Sequence, residues 1–257
     1  MRSRAGAQGK EEPVGEGKVL TILEHLQELR RRLIVASAAL LIGIIVSAVF
    51  TQQLLHWLIA PAKDKVEGLS IIYTEPLEYW ATYFRVALVA GVALAMPVIV
   101  YEILAFVGPG LTRQERRWIY PIVVGATLSF LGGAAFAYYV ELPPALRFLL
   151  GFSGDVAEPF IRVGSYVNFV TRLMLVTGLV FEMPLLVMGL AKLGVVTSRR
   201  LLGWWRYALV LAFVVAAVVT PSIDPVTQSL VAGPIIVLYF AGIVLAKLVE
   251  GRPVLPR

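Results

Sequence analysis

Long apolar runs alternate with short polar segments along nearly the whole chain. Six runs approach the ~20 helical residues that cross a bilayer core of about 30 Å. They cover about 33–50, 80–104, 119–140, 167–193, 204–219 and 226–246. The fifth is short, reaching only about 24 Å at ~1.5 Å per residue. Pro97 interrupts the second run and Pro184 the fourth. Ahead of the first run, Leu20, Leu23, Leu26, Leu29 and Leu33 recur at three- and four-residue spacing. Glu24, Glu28, Arg31 and Arg32 lie off that stripe. This spacing predicts a short amphipathic helix at the interface that runs into the membrane. The stretches 56–79 and 141–166 read as polar loops. Residues 1–18 are polar and Gly-rich, lack the apolar core of a signal peptide, and read as a disordered tail. The predicted fold class is therefore all-α: a six-span membrane domain over 19–246, with a second polar tail over 247–257.

Composition agrees with this pattern. The 257 residues are 58% hydrophobic and 16% charged, with mean hydropathy +0.80. Soluble domains are about 45–50% apolar and about 25% charged. The net charge of +6 raises the question of nucleic acid, but the basic residues follow topology. Most of the 23 Lys and Arg fall in the N-terminal tail, the amphipathic helix, the loops near 113–117 and 199–206, and the C-terminal tail. Lys63, Lys65, Arg147 and Arg162 belong to the other side, with Arg85 and Arg172 in span ends near it. By the positive-inside rule the richer side, with both termini, is cytoplasmic. The chain has no cysteine and only His25 and His56, which leaves no thiolate or His-rich metal site, and no cofactor is implied.

An ionised group inside a span is costly and marks a functional candidate. Glu182 lies mid-span in LVFEMPLL, beside Pro184, which cannot donate to the Val180 carbonyl. It is either a functional acid in a polar notch or a structural one paired to Arg172 or a hydroxyl. Asp224 and Gln228 share a face at the start of the sixth span. Asp224 also has the position of an N-cap. Glu102 ends the second span, and Glu115 follows it in the loop, beside Arg116 and Arg117. Glu115 is either neutralised by those neighbours or presented to a cationic ligand, with Glu28 as a second such group. Carboxylates bind guanidinium bidentately, so acids here suit arginines.

Four stretches resemble the TatC family, the multi-spanning receptor subunit of the twin-arginine protein translocase. They are HLQELRRRL (25–33), MPVIVYEILAFVGPGLTRQERR (96–117), FEMP (181–184) and TPSIDPVTQ (220–228). They occur in the family's order, and the resemblance covers about 19–246. It implies a cup-shaped six-helix fold and binding of twin-arginine signal peptides of folded precursors. It also implies assembly with the single-span subunits TatA and TatB, self-association in a larger complex, and export driven by the proton-motive force across a bacterial or archaeal cytoplasmic membrane. Residue by residue, it implies signal-peptide contacts at Glu115, Phe106, Glu28 and Arg30, with Glu102 contributing a carboxylate where some members have Gln. It implies partner contacts at Glu182, Asp224 and Gln228. The chain departs from the family in TPSIDP, one residue longer than the TPPD form of that turn.

The competing class is an ion-coupled secondary transporter using Glu182 and Asp224, which predicts inverted repeats. None is visible in the sequence. An intramembrane enzyme would need a nucleophile or metal set such as H-E-x-x-H, and there is none. Nor is there a P-loop. The expectation is a receptor with no enzymatic activity and no affinity for nucleic acid.

Overall fold

The computed structural model describes residues 22–65, 70–107, 119–151, 160–220 and 224–250. Helices dominate: α1 (Ile22–Lys65), α2 (Glu78–Val107), α3 (Ile119–Phe136), α4 (Leu142–Gly151), α5 (Val163–Phe181), α6 (Met183–Lys192), α7 (Ser198–Gly203), α8 (Trp205–Val219) and α9 (Pro225–Glu250). A π-helical turn, Ala137–Glu141, joins α3 to α4. Two three-residue strands, β1 (Ser70–Ile72) and β2 (Phe160–Arg162), complete the described elements.

Five helical stretches are long and apolar enough to cross a membrane, and α8 is a shorter apolar helix before the last of them. Only 11% to 33% of each candidate span's apolar window is buried within the protein. Leu41, Ile45, Val49, Val210, Leu211 and Val218 all point outward. In water so much contiguous apolar surface would drive association, whereas lipid tails solvate it. These five helices and the shorter α8 match the six expected passes.

The first pass differs from expectation. α1 is one helix of 44 residues, about 66 Å long, with no break near Leu33 and no loop from His56. Leu55, Leu58 and Ala62 recur at helical spacing and are buried, which carries the helix on. Pro61 cannot donate to the Trp57 carbonyl. The Tyr138 hydroxyl donates to that oxygen at 2.7 Å, and Tyr166 donates to the Leu58 carbonyl at 2.9 Å. In the amphipathic segment Leu26, Leu29 and Leu33 are exposed, while Glu28 and Arg32 are more covered and face α2.

α1 and α2 cross at two glycines. A Cβ on Gly43 would lie 2.6 Å from the Gly91 carbonyl oxygen, and one on Gly91 would lie 2.7 Å from the Ile44 nitrogen. Neither position has room for a side chain.

The third pass also outruns its expected end at Val140. Pro143 and Pro144 sit in the first turn of α4, where their missing N–H groups are least costly. The π turn just ahead of them takes up the mismatch, with the Leu142 N–H bonded to the Ala137 carbonyl.

The loops expected over 56–79 and 141–166 are partly ordered. β1 and β2 pair in parallel, with Ile71 opposite Ile161. Glu78 secures them from below. Its carboxylate accepts from the Thr74 N–H (2.9 Å), the Thr74 hydroxyl (3.1 Å) and the Gly164 N–H (2.8 Å). At the chain's end α9 runs through Lys247 to Glu250, whose carboxylate accepts from the Ser198 N–H and hydroxyl at the start of α7. The tail expected over 247–257 therefore begins as helix, and its remainder, 251–257, lies outside the described residues, as does the tail 1–18.

Candidate functional site

The start of α1 and the end of α2 run antiparallel and meet. Here Arg32 lies between two acids. Its Nη1 donates to Glu102 Oε2 at 2.9 Å, and its Nη2 donates to Glu28 Oε1 at 3.1 Å. Glu102 is buried and Glu28 half-buried. One turn beyond Glu102, Phe106 stacks on His25 with centroids 4.4 Å apart and planes at 22°. The spacing explains the cluster. His25, Glu28 and Arg32 are three and four residues apart on one face of α1, and Glu102 and Phe106 are four apart on α2.

Of the expected signal-peptide contacts, Glu28, Glu102 and Phe106 are therefore together. Arg30 is exposed on a different side, lining a shallow groove with Gln27, Arg31, Ile34 and Val35. Glu115 lies outside the described residues. Arg32, which holds the acids together, had entered the sequence reading only as a basic residue off the leucine stripe. Its role depends on Glu102, which lies 70 positions away.

The second group of candidates is dispersed. Glu182 sits in the break between α5 and α6, buried, with Oε1 lacking a partner. Pairing with Arg172 is not what the chain adopts: Arg172 is exposed and about 15 Å away along the helix. The nearby Ser129 hydroxyl donates to the Phe181 carbonyl at 2.8 Å. α3 approaches closely here, since a Cβ on Gly133 would lie 2.9 Å from Gly178 Cα.

Asp224 caps α9, with Oδ1 accepting from the Thr227 N–H at 2.6 Å, as its sequence position allowed. Gln228 is half-buried one turn on. Pro184 packs at the level of Gly242, so Gln228 lies about 20 Å along α9 from Glu182. Glu182 and Asp224 therefore do not form one site.

Sequence reading also missed Glu141. It is buried in the π turn and accepts from the Thr177 hydroxyl at 2.9 Å, while its Oε1 has no partner. Its place at the edge of an expected loop hid it. Among the described residues no group of His, Cys, Asp or Glu is arranged to hold a metal ion.

Fold and site together define a multi-pass helical membrane protein with a charged, acid-lined junction at one face. The family model for "Sec-independent protein translocase protein (TatC)" matches residues 24–234. A crystal structure of the twin-arginine translocase receptor TatC superposes with a TM-score of 0.82 at 37% identity, covering 89% of this chain and 100% of that one. The Synechocystis Sec-independent protein translocase protein TatC is 39% identical over 224 residues, 87% of each chain. The chloroplast protein TATC of Arabidopsis thaliana is 42% identical over 239 residues, 93% of this chain and 70% of that one. The chain belongs to the TatC family. It is a component of a protein translocase, not an enzyme.

Proposed function

We propose that this protein is the subunit of a twin-arginine translocase that receives signal peptides. The junction of α1 and α2 faces the cytoplasm in this reading, because the exposed Arg30, Arg31, Arg199, Arg200, Arg206 and Lys247 belong to the same side. A precursor presents its two arginines there. Glu28, Glu102 and Glu115 receive the guanidinium groups, Phe106 packs against an arginine face or the peptide stem, and Arg30 borders the site. The apolar part of the signal peptide then enters the bilayer along the spans.

The observation that carries this reading is that Glu28 and Glu102 already converge on one guanidinium, at 3.1 and 2.9 Å. The pair is therefore spaced for the group it is proposed to read. The single-span partners TatA and TatB dock against the membrane part. Glu182, Asp224 and Gln228 are the polar positions at which those helices dock, since polar side chains hydrogen-bond across helices in lipid. The complex holds further copies of this chain. It works in a bacterial or archaeal cytoplasmic membrane and draws on the proton-motive force.

A photo-crosslinking side chain placed at Phe106 tests the site. A twin-arginine signal peptide is expected to label strongly and its twin-lysine counterpart weakly. Equal labelling by the two peptides would remove the recognition site from this face.

A further inference from the structure

The acids and the ring proposed to receive the peptide are both covered by side chains of α1. Arg32 spans Glu28 and Glu102, and His25 lies flat on Phe106. The covering groups have the chemistry of the ligand: a guanidinium against the carboxylates, and a planar polar group against the ring. The cover is also incomplete. The Arg32 Nε is buried without a partner, and one positive charge faces two negative ones. The Arg32 side chain is 28% exposed, so it has a route toward solvent.

We infer that Arg32 is an autoinhibitory residue, a resident guanidinium that a peptide must displace to reach Glu28 and Glu102. This rests on the proposed role of those two acids. Exchange of one guanidinium for another conserves the fork of parallel N–H donors that reaches both carboxylates. A lysine ammonium is a compact, strongly hydrated point charge and does not reproduce that fork. It therefore repays less of the cost of releasing Arg32. That cost is the same for every peptide, so the resident group lowers all affinities by one common factor. A weak ligand is thereby pushed below occupancy, while a twin-arginine peptide still displaces the resident group.

The test titrates fluorescent twin-arginine and twin-lysine signal peptides into the full chain in lipid nanodiscs. It compares the native protein with Arg32→Gln and Arg32→Lys. Arg32→Gln removes the competitor and is expected to tighten twin-arginine binding roughly two- to fivefold. Twin-lysine binding should tighten by the same factor, so the ratio between the peptides holds. Arg32→Lys keeps the charge but not the fork and should fall between.

A merely structural brace gives the opposite sign: weaker binding of both peptides. That pattern, or native-like binding in both variants, would overturn the inference. If Arg32→Gln does not fold, Arg32→Lys decides, and native affinities in it count against the inference. The double variant Glu28→Gln, Glu102→Gln separates the two levels. If it binds the twin-arginine peptide as the native chain does, the acids are not the receptor and the underlying reading fails. If it loses binding while the Arg32 variants match the native chain, only the exchange fails.

Discussion

Gly91→Leu is expected to separate the first two spanning helices and to abolish peptide binding with them. Any Cβ at this position meets the Ile44 backbone, at 2.7 Å from its nitrogen and 2.8 Å from its Cα. Backbone has no rotamer to shift, so relief requires the helices to part. Overpacking typically costs about 1–3 kcal/mol where side chains can adjust, and this contact should reach or exceed the upper end. The consequence extends beyond stability, because the two halves of the candidate site lie on those two helices. Arg32 meets Glu102, and His25 meets Phe106, only while α1 and α2 stay in register. The checks are the thermal midpoint in nanodiscs and a twin-arginine peptide titration. Retention of both would mean that the close crossing does not position the site.

Glu182→Ala is expected to have the opposite pattern, with weakened partner assembly and near-native peptide binding. The carboxyl is buried at the break between α5 and α6, and its Oε1 has no partner within the described chain. A polar side chain on an incoming helix can satisfy that oxygen, and alanine deletes it. Interhelical hydrogen bonds in membranes average about 0.6 kcal/mol and reach about 1.7, so association of TatA or TatB should weaken roughly three- to twentyfold. Co-purification of the partners reads the first effect, and the peptide titration reads the second. Loss of peptide binding in step with loss of partners would make Glu182 a structural acid instead.

These two residues show what was visible in the sequence and what was not. The spans were legible because lipid imposes a length and an apolar composition on each pass. The break at Pro184 and the cap at Asp224 were legible because both are local: a missing N–H and a carboxylate reaching the backbone N–H of Thr227. The extension of α1 through Pro61 was not, because the hydroxyls of Tyr138 and Tyr166 that accompany it come from other passes. The strands β1 and β2 were hidden for the same reason, since three residues each carry no periodicity and the pairing lies across the fold.

In the candidate site, acid type and position suggested Glu28 and Glu102. Their convergence on Arg32 needed the crossing of α1 and α2. Glu141 escaped because it sits beside Pro143 and Pro144, which read as loop punctuation although they follow a π turn inside a continuous pass.

The central claim is that acids at the α1–α2 junction read arginine. It is tested most directly by the ratio of twin-arginine to twin-lysine peptide affinities for the native chain and for the double variant Glu28→Gln, Glu102→Gln. These are the two acids that converge on one guanidinium, and hydrogen bonds to charged groups contribute about 1.5–3 kcal/mol each. The native chain should therefore favour twin-arginine by at least about tenfold, and the double variant should bring the ratio close to one. Equal affinities in the native chain, or an undiminished preference in the double variant, would contradict it.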